Sequence, residues 1–179
     1  MIYVFLADGF EECEALAPID ILRRAGFELK TVGVTGKIAV GAHNVPVTCD
    51  ISTDDVSFDN IEAIILPGGM PGTTNLNHCP AVQAAINYAS TNGLLIGAIC
   101  AAPLILGEKG LLNGKKATCY PGFEKHLLGA TVLEDGVVTD GNIITAKGAG
   151  VAFDFGFALV SYLLGENTAE NIKKQMKFI

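Results

Sequence analysis

"GLLIGAICAAPLILGEKG", residues 93–110, runs from an apolar segment rich in Leu and Ile through Cys100 into a segment with the spacing of a helix. "LLIGAI" has the length and composition of a buried strand, and "AAPLILGEKG" follows it as a helix. A strand passing directly into a helix is the repeating unit of an α/β chain, so this stretch sets the fold class. It also places a thiol at the joint. A cysteine in a core is ordinarily a small inert hydrophobe. One that stands before a helix N-terminus meets free backbone N–H groups and a dipole that favour the thiolate. Cys100 alone is compatible with both.

The same alternation extends in both directions. "IYVFLA" (2–7) reads as a buried strand, and residues 11–26 as an amphipathic helix with Leu16, Ile19 and Leu22 at helical spacing and Gly26 closing it. Residues 27–34 form a second strand, and "KIAVGAHNVPVTCD" (37–50) a hairpin or excursion at a sheet edge. "EAIILPGG" (62–69) is a strand ending in a Gly-Gly turn, and residues 80–93 are a helix. After residue 110 come a short helix over 122–129, strands in 131–136, 137–141 and 142–148, and an apolar helix over 151–165. This order predicts a mostly parallel sheet covered by helices on both faces, with the site at the C-terminal ends of its strands. No linker or repeat interrupts 1–179, which reads as one domain.

Composition narrows the function. Half of the 179 residues are hydrophobic, with a mean hydropathy of +0.41, but the longest apolar stretch is the opening one, broken by Pro and Gly and too short to span a bilayer. The N-terminus lacks a basic lead, so a cytoplasmic location is expected. The 5 cysteines are scattered and contain no C-x-x-C pair, which argues against a disulfide framework and a metal site. A net charge of -7 leaves no nucleic-acid footprint.

Three turns converge on the expected crevice: "LADGFEECE", "LPGGMPG" and "GAICAAP". The N–H groups of Gly68, Gly69 and Ala101 would form an oxyanion hole beside Cys100. Glu11, Glu12 and Glu14 end the first strand, and their spacing does not choose which crosses the crevice. A carboxylate repels a thiolate unless burial keeps the acid protonated as a donor to sulfur. Each feature alone has a plain structural explanation; their joint order is what points to a thiol site.

"LADGFEECEALAPIDILRRAGFEL", "LPGGMPGTTNL", "GAICAAPLIL" and "TAKGAGVAFDFG" closely resemble the ThiJ/PfpI superfamily, in the branch of the parkinsonism-associated deglycase and YajL. The resemblance covers essentially the whole chain. It implies a flavodoxin-like α/β three-layer sandwich, a homodimer, and a reactive cysteine at a strained elbow bonded to a protonated glutamic acid. Those roles fall on Cys100 and Glu14, with the amides of Gly69 and Ala101 as oxyanion donors. A second apolar face of the first helix, Ala15, Ala17, Ile21 and Ala25, is the expected subunit contact. Arg24 falls where relatives collect anions near the site.

The chain departs from the pattern in "TCYPG", which sets Tyr120 where glyoxalase-competent relatives carry a histidine, with Cys119 beside it. No histidine follows Cys100, which argues against a Cys-His protease, and His126 reads as a surface residue. "KGAGV" puts Ala149 where relatives have Pro, loosening a turn near the pocket. Two functions follow from the resemblance. One is cofactor-independent glyoxalase or deglycase chemistry on reactive dicarbonyls or their adducts, with Cys100 as nucleophile and Glu14 as proton partner. The alternative is a protective redox sensor or chaperone-like protein whose Cys100 is oxidised to sulfinate. Tyr120 weighs against the first, since a phenol of pKa ~10 is a poor base at neutral pH.

Overall fold

The computed structural model describes residues 1–178. The first half of the chain forms β1 (Ile2–Leu6), α1 (Glu12–Arg24), β2 (Leu29–Gly33), β3 (Ile38–Val40), β4 (Pro46–Thr48), β5 (Ile51–Ser52), β6 (Ala63–Leu66), α2 (Gly72–His78) and α3 (Pro80–Thr91). It continues with β7 (Leu95–Ile99), α4 (Pro103–Glu108), β8 (Lys116–Ala117), β9 (Thr131–Val132), β10 (Val137–Asp140), β11 (Ile143–Ala146), α5 (Ala152–Leu164) and α6 (Glu166–Met176). The main sheet has the order β10-β11-β7-β6-β1-β2-β5 and is parallel except for the β10–β11 pair. β3 and β4 pair as a separate antiparallel hairpin.

The central strands are apolar at every position because both faces of the sheet are covered. In β1, Tyr3 and Phe5 enter one core with residues of α3 and α4; Ile2, Val4 and Leu6 enter the other with residues of α1, α5 and α6. β6 and β7 divide the same way, Ile64 and Ile96 on one face and Ile65 and Ile99 on the other. This is the flavodoxin-like three-layer α/β sandwich that the alternation requires. Among the described residues no helix is long and apolar enough to cross a membrane.

Helix α1 lies on α5, and the approach is close because Gly156 has no side chain: a Cβ there would fall 2.6 Å from Ile21 Cδ1. The buried side of α1 holds Ala15, Ile19, Ile21 and Leu22. Leu16 is 40% exposed, so it does not share a buried face with Ile19 and Leu22, and Ala15 and Ile21 belong to the core and not to a free face. The outward apolar face consists instead of Cys13, Leu16 and Ala17, continued by Phe153 of α5.

Local details depart from the sequence reading. Residues 122–129 contain only a 3-10 turn, Glu124–His126, and of 131–136 only Thr131 and Val132 pair, with β8. α2 and α6 have no counterpart in that reading.

Candidate active site

β7 delivers Cys100 to the C-terminal edge of the sheet. Its N–H donates to the Ala146 carbonyl at 2.8 Å, and its carbonyl accepts from the Tyr120 N–H at 2.8 Å. Held between these bonds, Cys100 has φ +65°. A left-handed backbone costs a residue with a Cβ about 1–2 kcal/mol, and Cys lacks the short polar side chain that lets Asn adopt it. The turn aims the half-buried side chain out of the strand to where the cores on the two faces meet.

Glu14, 1% exposed, reaches the same point from α1. Its Oε2 accepts the Gly68 N–H at 3.0 Å, and its carboxyl lies beside the Cys100 side chain and the Ala149 amide. A Cβ on Gly68 would sit 2.6 Å from Cys100 Cβ and 2.7 Å from Glu14 Oε2, so only glycine permits the two groups to meet. The Gly68 N–H, expected among the oxyanion donors, is engaged by the acid. The amides of Gly69 and Ala101 are the ones near the Cys100 sulfur, where they favour its charged form.

Burial pushes the Glu14 carboxyl up to about 7, against the lowering pull of the Cys100 bond and the Gly68 amide. The Cys100 thiol is pushed up to about 12, first by burial and then by the charge of Glu14 and the bond to it; the Gly69 and Ala101 amides pull it down. Burial therefore works against an acidic thiol at this position. α4 begins at Pro103, beyond Cys100, and desolvation outweighs the two amides. The charge that holds the thiol up exists only while Glu14 is ionised. With the proton on the carboxyl that charge is gone and an O–H faces the sulfur, so the two groups titrate as a pair.

The remaining candidates scatter. Tyr120 is 50% exposed, with its ring against Gly148. Cys119 is buried in the core on one side of Cys100, and burial followed by the charges of Glu124 and Glu134 pushes it up to about 11. Arg24 is not brought to the site: it pairs with Asp20 at 2.8 Å near the end of α1, roughly 15 Å beyond Glu14 at ~1.5 Å rise per residue. His126 pairs with Glu108 at 3.0 Å. All five cysteines are free.

Glu11, Glu12 and His43 bring their polar atoms within 4.8 Å of one another, the one such group of potential metal donors among the described residues. They satisfy each other: Glu12 accepts the His43 N–H at 2.7 Å and meets its imidazole at 2.9 Å, and this bond with the nearby carboxylates raises the imidazole pKa.

Size does not locate the chemistry. A cleft of about 410 Å³ between α5 and α6 contains neither Cys100 nor Glu14. A smaller one, about 340 Å³, opens between Tyr120 and the 147–151 turn; Cys100 and Glu14 do not line it either, but Gly148 of its wall adjoins Glu14. Lys147 in that turn is a residue the sequence did not single out, since a lysine before a Gly-rich turn carries no signal of its own.

A model of the DJ-1/PfpI family matches residues 1–162. Protein DJ-1 homolog B of Arabidopsis thaliana is 39% identical over 170 residues, 93% of this chain and 39% of that protein, so the chain spans well under half of that relative's length. The Caenorhabditis elegans protein named glutathione-independent glyoxalase DJR-1.2 is 33% identical over 93% of this chain and 89% of its own. The crystal structure of oxidized Toxoplasma gondii DJ-1 superposes with a TM-score of 0.95 at 33% identity, covering 99% of this chain and 97% of that one.

A carboxyl whose pKa rises from 4.5 to about 7 on folding makes the folded state bind the extra proton between those values. The stability it contributes is complete below pH ~4.5 and is lost as pH rises through ~7, by up to about 3 kcal/mol. Urea unfolding across this range should show the wild type losing stability relative to Glu14→Gln. Parallel curves would mean that Glu14 titrates alike in both states.

Proposed function

Because this chain belongs to the DJ-1/PfpI family, we propose that it acts on reactive 1,2-dicarbonyls or their adducts, with Cys100 as nucleophile and Glu14 as proton partner. The observation that carries this reading is the buried Glu14–Cys100 pair, set at a strained turn with the Gly69 and Ala101 amides on the sulfur. The glyoxalase name of the worm relative supports the substrate class.

The sulfur adds to the aldehyde carbon of a 1,2-dicarbonyl, and the carbonyl electron pair becomes an oxyanion that takes a proton, giving a hemithioacetal. The amides of Gly69 and Ala101 are the donors closest to that oxygen. Glu14 then relays hydrogen from this carbon to the neighbouring ketone as a proton: the aldehyde carbon is oxidised to a thioester, and the ketone is reduced to a hydroxyl. Water hydrolyses the thioester and restores the thiol. The redox change is internal, so the step calls for no external oxidant. Tyr120 stands where a histidine base is expected, which leaves Glu14 alone in this role and makes slow turnover the expectation.

A second reading is favoured by the same convergence of donors. Cys100 consumes two equivalents of peroxide, each leaving as water, and the resulting sulfinate is held by the Gly69 and Ala101 amides and the Glu14 O–H. In either case we place this single domain, 1–179, in the cytoplasm, where free thiols persist.

We further propose a homodimer formed on the outward face of Cys13, Leu16, Ala17 and Phe153, an apolar strip of the sort that water leaves poorly covered. Light scattering at micromolar concentration should give twice 18.7 kDa. A monomer would refute this assembly.

Methylglyoxal supplied to the wild type should yield lactate slowly, with at least a hundredfold loss in Cys100→Ser and a large loss in Glu14→Leu. No lactate from the folded wild type, together with a clean gain of two oxygens on Cys100 under graded peroxide, would replace the enzyme reading by the sensor.

A further inference from the structure

The cleft beside the reacting pair is walled by Tyr120, Pro121, Gly148, Ala149 and Val151, and Lys147 supplies the only charge among its described lining residues. Gly148 joins this cleft to the chemistry. A Cβ built there falls 3.3 Å from the Tyr120 ring and 3.9 Å from Glu14 Oε1, so the residue preceding it stands within one small substrate's length of the acid. The Lys147 backbone is pinned by its N–H bond to the Gly136 carbonyl at 2.9 Å.

The Lys147 ammonium meets Glu134 Oε2 at 2.7 Å and the Glu134 carbonyl at 3.2 Å. An ammonium has three donors, so one remains for a ligand. The Glu134 side chain is 92% exposed, and an ion pair so open to water is worth little, so a ligand oxygen can displace it at small cost. The cleft, about 340 Å³ with Lys147 among its lining residues, has room for more of a ligand than the three carbons of a small dicarbonyl reacting at Cys100.

We propose that Lys147 determines specificity by selecting 1,2-dicarbonyls and adducts that carry a carboxylate away from the reacting carbonyl. One ammonium with one free donor matches a monoanion. A phosphate dianion is better matched by a second cation, and no other charged residue is among the described lining residues. The inference rests on the reading of Cys100 as the reacting atom.

The test needs no turnover. Iodoacetate and iodoacetamide alkylate a thiolate identically: the S–C bond forms, iodide leaves, and the thiol proton goes to solvent. They differ in the carboxylate. The ratio of Cys100 labelling rates, iodoacetate over iodoacetamide, should fall about fivefold in Lys147→Met and stay near wild type in Lys147→Arg. It should rise in Glu134→Gln, which frees the ammonium. An unchanged ratio in Lys147→Met overturns the role of Lys147 while Cys100 remains the reacting atom. A ratio that does not rise in Glu134→Gln overturns it as well, whatever becomes of the lysine variants. If neither reagent labels Cys100 in the folded wild type, the reading of Cys100 fails, and this inference with it.

Discussion

The site depends on one contact, the burial of the Glu14 carboxyl against the Cys100 sulfur. Neither group would remain there charged and alone: an isolated carboxylate in a dry site costs far more than folding can supply, and a thiolate beside it costs more still. The arrangement is tolerable because one proton serves both. Gly68 donates to the acid, and the amides of Ala149, Gly69 and Ala101 lie beside the pair, so polar groups face it in either protonation state. The sharing that makes the pair stable is also what allows a proton to move when a carbonyl or a peroxide reaches the sulfur.

The fold exists around that contact in a specific way. Strands buried on both faces bring β1, β6 and β7 side by side; the turns after β6 and β7 carry Gly68 and Cys100 to one edge, and the first turn of α1 brings Glu14 there. The left-handed turn at Cys100 is held by bonds to Ala146 and Tyr120, from segments distant in sequence. Local strain is thus maintained by the packed sheet and not by the residues near the turn.

Much of this was legible in the sequence. The central strands β1, β6 and β7 could be read because a doubly covered sheet keeps them apolar, and Cys100, Glu14, Gly69 and Ala101 stand in stretches whose order is distinctive. What was not legible depends on approach in three dimensions. Nothing near Gly68 announces that its amide binds the acid, and nothing near Arg24 shows that it pairs with Asp20, away from the site. α2, "GTTNLNH", is made of poor helix formers and stands because Thr73 and Asn75 bond back to Gly69, Pro71 and Asp8. α6 buries little beyond Ala169 and Ile172, too narrow a stripe for its period to stand out among charges.

The acidic site also bears on reactivity. A thiol raised by burial is slow to ionise, so its chemistry is set by the protonation state of the carboxyl beside it and not by a helix dipole. The protonation of Glu14 is therefore the central claim, and the most direct measurement is carbon NMR of the protein labelled at its glutamate carboxyls, with the Glu14 signal assigned by its absence in Glu14→Gln. The account requires that signal to titrate near pH 7, well above the other glutamates. A Glu14 carboxyl that titrates at ~4.5 would be ionised beside Cys100 at neutral pH and would contradict the shared proton on which the site is built.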